Sequence, residues 1–178
     1  TEYNWGEGGI SSALAQAEVL AIFGREGVFA AMRWTVPAVG SRLEDAFQLF
    51  LDYDGSGGRV TGTSRTCVSS DADVVGAYAV ESPTGDLLVL LFNKNTTDEN
   101  VQVTVTQPVS GTAAVYRFTE GSELGPAGST VVTAGEAQVV LPARSATLVV
   151  LASATDRVFA DGFEAGGLAE WSAATGPL

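Results

Sequence analysis

The spacing of apolar residues changes once along the 178-residue chain, and this change restricts the chain to a composite fold. Up to about residue 54, apolar residues recur every three or four positions, which places them on one face of an α-helix. The glycine-rich turn Asp54–Gly58 follows, and beyond it apolar and polar residues alternate, as they do along a half-buried β-strand. We therefore expect an α+β chain, in which an α/β part precedes an all-β part.

The first part contains the pattern of an amphipathic helix over about residues 10–23. Ser11 or Ser12 is expected to cap its start, and Gly24 is expected to end it. After this helix, residues 28–34 are apolar nearly throughout, as in a parallel strand that is buried on both faces. The order helix, buried strand, helix is typical of a layer in which helices cover a parallel sheet.

A second helix is predicted to begin at the capping box formed by Ser41 and Glu44 and to end near Tyr53. A lone parallel strand has no partner for its backbone hydrogen bonds, so the earlier strands of this α/β domain are expected to precede Thr1. Without those neighbours, the apolar residues of the buried strand should form an exposed patch.

The second part is predicted to be an antiparallel β-sandwich. Its clearest strand, residues 101–106, alternates strictly, and it should turn Val101, Val103 and Val105 inward. Leu87–Phe92 and residues 148–151 are expected to be central strands that are covered on both faces. Seven short strands without a helical insert favour this architecture: 74–81, 87–93, 101–107, 112–118, 130–133, 137–141 and 146–152. The chain then divides into residues 1–54, a sandwich over 55–153, and a polar tail over 154–178 that is a linker or the start of a further module.

The composition excludes several functional classes. Nine Lys and Arg residues against 21 Asp and Glu residues give a formal charge of −12, so neither a nucleic acid nor an anionic membrane is expected as a partner. Because the chain has no histidine, His-based catalytic triads and the commonest zinc sites are excluded. The longest strongly apolar run, Leu87–Phe92, is too short to span a membrane, and the single Cys67 forms no internal disulfide. Acid-base chemistry would fall to carboxylates, Tyr or Lys.

Glu2 is the residue with the clearest catalytic potential. It precedes Tyr3, Asn4 and Trp5 at a point where a strand would leave the sheet ahead of a helix. In α/β barrels, catalytic side chains collect at the carboxyl ends of the strands. From position alone, Glu2 is either such a residue or a solvated carboxylate near the chain end.

Six stretches of the chain resemble, in order and spacing, the end of the catalytic barrel and the following sandwich of glycoside hydrolase family 44. They are Thr1-Glu2-Tyr3-Asn4-Trp5-Gly6, residues 11–24, residues 28–34, residues 46–50 with Tyr53-Asp54-Gly55, Thr63-Ser64, and Leu91-Phe92-Asn93-Lys94-Asn95. The resemblance covers roughly residues 1–152, and the first three stretches match the region of barrel strands seven and eight.

The resemblance implies a retaining β-1,4-glucan hydrolase with a (β/α)8 TIM barrel joined to a β-sandwich. By the family's T-E-Y-[ND] motif, Glu2 is then the nucleophile, which would work with a second, protonated carboxyl about 5 to 5.5 Å away. The family's acid/base glutamate comes from strand four, which this chain lacks, so the chain alone is predicted to be inactive.

Aromatic and amide side chains around Glu2 are predicted to bind the substrate. Trp34, at the end of the presumed eighth strand, offers a plane on which a sugar could stack, or it is an ordinary core residue at the barrel rim. Tyr3, Asn4 and Trp5 flank the nucleophile, and the Tyr3 phenol is expected to orient its carboxylate; plain loop packing is the alternative for each.

The sequence thus predicts the C-terminal part of a secreted bacterial endo-β-1,4-glucanase, a monomer whose partner is a β-glucan polysaccharide. No cofactor and no metal-binding residue is predicted in this chain. Two alternatives stay open. One is a non-catalytic β-sandwich that binds carbohydrate or acts as a structural prop. The other is a xylanase or arabinofuranosidase with the same plan of barrel and sandwich.

Overall fold

A computed structural model describes residues 2–6, 8–106 and 109–153 of the chain. Two helices, α1 (Gly9–Arg25) and α2 (Arg42–Leu51), lie in the first part, together with two short strands, β1 (Glu2–Tyr3) and β2 (Met32–Arg33). The second part consists of eight strands: β3 (Thr63–Arg65), β4 (Val75–Glu81), β5 (Leu87–Asn93), β6 (Glu99–Thr104), β7 (Gly111–Phe118), β8 (Gly125–Thr133), β9 (Glu136–Leu141) and β10 (Ser145–Leu151). The predicted polar tail, 154–178, lies outside the described residues.

The two helices follow the predicted patterns, but only one of them is capped as expected. In α2, Ser41 Oγ accepts a hydrogen bond from the backbone N–H of Glu44 at 3.2 Å, and the Glu44 carboxylate accepts one from the N–H of Gly40. The expected cap of α1 at Ser11 or Ser12 is wrong, because the N-cap is Gly8, with no side-chain cap. Ile10 is buried, so the helix begins early enough to include it, and both serines fall within the first turn.

The predicted strand over residues 28–34 is reduced to β2, and its burial on both faces is not observed. Phe29 and Met32 are exposed, because β2 pairs with β1 alone among the described strands. The predicted exposure of apolar residues here is confirmed, and it includes residues beyond the strand: Val28, Phe29, Met32, Trp34, Val36 and Val39.

The eight strands of the second part form a single antiparallel sheet in the order β3-β4-β5-β10-β7-β8-β9-β6. The predicted sandwich of two separate sheets is corrected in this respect, because β10 pairs with β5 on one side and with β7 on the other. Val75 of β4 and Val139 of β9, far apart in the strand order, belong to one apolar cluster. The sheet therefore curls around that cluster. β3 was not predicted, since it is short and exposed.

Two predictions about strand burial are confirmed. In β5, Leu88 to Asn93 are all buried, and in β10, Leu148 and Val149 are fully buried, which shows that these central strands are covered on both faces. Along β6 and the residue that follows it, Val101, Val103 and Val105 are half-buried against the inner cluster while the polar residues between them are exposed.

The outer face of the sheet packs against α1 and α2 through a second apolar cluster that includes Leu14, Leu49, Leu90 and Phe92. Because the helices and the sheet share this core, α1 holds a defined position on the sheet. No helix among the described residues is long and apolar enough to cross a membrane. The division of the chain into domains at residue 54 stays a prediction.

A polar contact beside this core also joins α1 to the sheet. The Glu18 carboxylate on α1 lies 3.1 Å from Lys94 Nζ and accepts a hydrogen bond from the Tyr78 hydroxyl at 3.2 Å. Burial, and then the Glu18 charge, raise the pKa of Tyr78 to about 12. Gly76 lies directly beneath the carboxylate, and a Cβ atom there would come within 2.1 Å of Glu18 Oε1. The glycine therefore allows the helix side chain to approach the sheet.

Candidate functional site

The predicted site residues lie on and just after the parallel pair of β1 and β2. Glu2 pairs with Met32 and Tyr3 with Arg33, and the backbone N–H of Trp34 donates to the Tyr3 carbonyl at 2.9 Å. Parallel strands end at the same edge, so the residues that follow β1 and those that follow β2 leave the pair side by side. The structure thereby brings Glu2, Asn4, Trp5 and Trp34 to one edge.

Successive side chains along a strand point to opposite faces, and the two faces of this pair differ. Tyr3 and Arg33 are half-buried, whereas Glu2 and Met32 are exposed. Trp34, two positions after Met32, is 68% exposed. Glu2 and Trp34 therefore share the open face of the pair, where a bound ligand could reach both.

The buried face of the pair is directed towards α1. The Tyr3 hydroxyl accepts a hydrogen bond from Gln16 Nε2 at 2.8 Å, and its ring meets that of Phe23 edge-on at a centroid distance of 5.3 Å. Gln16 itself is fully buried. The Tyr3 phenol is therefore engaged with the helix, and the expectation that it orients the Glu2 carboxylate is wrong, because the two side chains lie on opposite faces of one strand. The alternation of a strand would have predicted this.

Asn4 and Trp5 follow β1 as an exposed segment. Asn4 Oδ1 accepts a hydrogen bond from Arg33 Nη2 at 3.0 Å, and the same guanidinium nitrogen donates to the Gly6 carbonyl. Sequence reasoning did not single out Arg33, although a cation inside an apolar strand was a usable signal. The arginine links the segment after β1 to β2.

Other features of the described residues carry less chemistry. In the turn after α2, Asp54 accepts hydrogen bonds from the backbone N–H groups of Gly58 and Ser56, which lower its pKa, and Asp52 accepts one from the N–H of Gly57. In the described part of the chain, no group of three His, Cys, Asp or Glu side chains is arranged to hold a metal ion. The edge formed by β1 and β2 is therefore the candidate active site.

The chain is similar to known polysaccharide hydrolases. No family model matches it. The beta-mannanase/endoglucanase A of Caldicellulosiruptor saccharolyticus is 33% identical over 128 residues, which cover 68% of this chain and 9% of that protein.

Two crystal structures share the fold over 85% of the chain. CelM2, a bifunctional glucanase-xylanase from a metagenome library, matches with a TM-score of 0.81 and 32% identity, over 30% of its own length. A family 44 endoglucanase from Clostridium thermocellum matches with a TM-score of 0.77 and 32% identity, over 31% of its length. The chain thus spans less than a third of these proteins. These matches confirm the predicted resemblance to glycoside hydrolase family 44.

Proposed function

We propose that the chain is the C-terminal part of a retaining glycoside hydrolase that cleaves β-1,4-glucans, with Glu2 as its nucleophile. The observation that carries the proposal is the position of Glu2 at the edge where two parallel strands end, on the face turned away from α1. In an α/β barrel, side chains on that face point into the barrel, and the carboxyl ends of the strands form the active site.

The parallel pair and its helices are, in this proposal, the last elements of a (β/α)8 barrel. Two features support it. Tyr3 packs on α1, as a strand residue does when it faces the outer layer of helices. Met32, on the other face, is an exposed apolar residue that the remaining strands of a barrel would cover.

The chemistry proposed for Glu2 is a double displacement. Its carboxylate attacks the anomeric carbon while a second, protonated carboxyl donates its proton to the departing glycosidic oxygen, so that the C–O bond breaks as an ester bond to Glu2 forms. The second carboxyl, now a base, takes a proton from water, and that water releases the sugar. Because that partner is expected to come from outside the chain, residues 1–178 alone should not hydrolyse glucan.

The aromatic residues beside Glu2 are proposed to hold the sugar chain. Trp34 and Trp5 are both exposed at the same edge, and flat aromatic rings pack against the C–H faces of pyranose rings. A polymer bound there is too large to enter a cell, which supports action outside the cell. The full-length protein is proposed to act as a monomer.

The test is a pair of Glu2 variants made in the full-length protein. Glu2→Gln should abolish release of reducing sugar from a soluble β-1,4-glucan, with Tm unchanged, because Glu2 is exposed. Glu26→Gln is the matched control, since the exposed side chain of this glutamate, at the end of α1, bonds only to Arg25 among the described residues. It should keep full activity. Xylan, assayed in parallel, tests the alternative substrate.

Rescue of the Glu2→Ala variant by azide distinguishes a nucleophile at this position from an acid/base residue. With an activated aryl glucoside, Glu2→Ala should recover turnover in azide and give a glycosyl azide of inverted configuration, because azide attacks the anomeric carbon directly. A product of retained configuration would assign the acid/base role to Glu2. Full activity of Glu2→Gln would overturn the catalytic assignment, and glucan binding without hydrolysis by the unmodified protein would support a carbohydrate-binding module.

A further inference from the structure

Arg33 is the described residue that connects the two segments leaving the parallel pair. It lies on β2, on the face opposite Met32 and Trp34, and is half-buried. One guanidinium nitrogen, Nη2, donates to Asn4 Oδ1 at 3.0 Å and to the Gly6 carbonyl; the other, Nη1, donates to the carbonyl and the hydroxyl of Thr35.

These contacts continue the link between β1 and β2 past the last backbone hydrogen bond of the pair. The ladder of β1 and β2 has only two residue pairs, and its last backbone bond runs from Trp34 N to the Tyr3 carbonyl. Beyond that bond, the chain after β1 turns at Gly6, whose φ is +94° and whose missing Cβ would lie 2.7 Å from Ser12 Oγ. The guanidinium holds this turn and Thr35 together across the gap.

The shape of the side chain suits this task. A guanidinium is planar and presents five N–H donors in a fixed fork, so one group can serve four oxygens on two segments at once. A lysine ammonium carries the same charge but acts as a point with three rotatable donors. Arg33→Lys therefore removes the fork while it keeps the charge.

We infer that Arg33 is a positioning residue that fixes Asn4 and Trp34 at the mouth of the sugar-binding edge. This inference rests on the function proposed above. Arg33 faces away from Glu2 and would not touch the substrate. It would act through Asn4, whose side chain accepts one of its hydrogen bonds, and through Trp34, which lies in the sequence between Arg33 and its acceptor Thr35. Loss of the fork should therefore weaken the binding of glucan.

The test compares steady-state kinetics of the full-length protein and of its Arg33→Lys variant on a soluble β-1,4-glucan. KM should rise about tenfold, the amount expected for the loss of a charge-assisted hydrogen bond that orders the binding edge. Arg65→Lys is the matched control, because Arg65 is also a strand arginine but pairs with Glu81 at the far edge of the large sheet. Its KM should equal that of the unmodified protein.

The split between KM and kcat distinguishes positioning from a merely structural role. If Arg33 only stabilised the fold, Arg33→Lys would lower the active fraction and therefore kcat, and KM would stay unchanged. That result, or kinetics identical to those of the unmodified protein, overturns the inference. If Arg33→Lys does not fold, Thr35→Val removes one acceptor of the fork and should raise KM in the same direction; an unchanged KM in that variant also overturns the inference.

The proposed function and this inference fail in different ways. Full activity of Glu2→Gln would refute the nucleophile assignment whatever Arg33 does. An inactive Glu2→Gln together with an unchanged KM in Arg33→Lys would refute only the role given to Arg33.

Discussion

Substitution of Gly76 by alanine tests how the helix that follows β1 is held on the large sheet. A Cβ atom at this position would lie 2.1 Å from Glu18 Oε1 and 2.9 Å from its Cδ. These atoms are the end of a flexible side chain, so the carboxylate should swing aside rather than the backbone shift. It would then lose both the Lys94 ammonium and the Tyr78 hydroxyl.

The size of the effect follows from those two contacts. A hydrogen bond to a charged group contributes about 1.5–3 kcal/mol, but Lys94 is a third exposed, so solvent screening reduces its share towards the ~0–1 kcal/mol of a surface ion pair. Replacement of glycine restricts the unfolded chain and returns about 0.4–1 kcal/mol. These terms leave a net loss of about 0.5–3.5 kcal/mol, so Gly76→Ala should lower the free energy of unfolding by about 2 kcal/mol.

Urea unfolding of the 178-residue chain, followed by far-ultraviolet circular dichroism, measures this change. Gly125→Ala is the control, since Gly125 also lies in a strand but a Cβ there meets nothing within 4 Å; it should be neutral or raise the free energy of unfolding by up to about 1 kcal/mol. In a Glu18→Ala background the clash is removed, so Gly76→Ala should become neutral or stabilising. If Gly76→Ala costs as much in that background as in the original chain, the loss does not come from Glu18, and the reasoning is refuted.

Two further predictions concern the sheet. Asn93, a fully buried residue, donates from its amide nitrogen to the carbonyls of Leu141 and Pro142; Asn93→Ala should cost about 3 kcal/mol in urea unfolding because these acceptors stay buried, and a cost near zero would contradict this role. The Asp86 carboxylate accepts hydrogen bonds from the Thr84 hydroxyl and the Ser153 N–H, and these bonds lower its pKa in the folded state. The ionised carboxylate therefore stabilises the fold above the pKa that Asp86 has in the unfolded chain, and this stabilisation is lost as the pH falls through the pKa of the folded state. Between about pH 5 and pH 2, Tm should fall less steeply in Asp86→Asn than in the unmodified chain, and equal slopes would refute this.

Local patterns in the sequence predicted those features that depend on neighbouring residues. The alternation at Val101, Val103 and Val105 reappears in β6, and the capping box at Ser41 forms because both of its partners lie within one turn. The start of α1 was predicted to within one residue, but its cap was not, because the buried Ile10 lies in the first turn and Gly8, ahead of both serines, takes the N-cap position.

Features that depend on distant partners were not accessible from the sequence. The pairing of β10 with both β5 and β7 converts two expected sheets into one, and no local pattern encodes which strands become neighbours. At the candidate site, the position of Glu2 and Trp34 at the same end of the strand pair was predictable, since parallel strands end at one edge. The bonds of Arg33 depend on the turn at Gly6, and that conformation follows from contacts rather than from the motif.

The position of β10 in the sheet also has a consequence for the order in which the chain can assemble. β5, with its run of buried apolar side chains, can pair with β4 as soon as both have been synthesised, because they are adjacent in the sequence. The other edge of β5 stays unpaired until β10, the last described strand, has been synthesised. One edge of β7 stays unpaired for the same reason. Until β10 arrives, two apolar edges are open to pairing with other chains. A chain that ended before Ser145 would keep β3-β4-β5 and β7-β8-β9-β6 as two separate pieces, each with an unprotected edge.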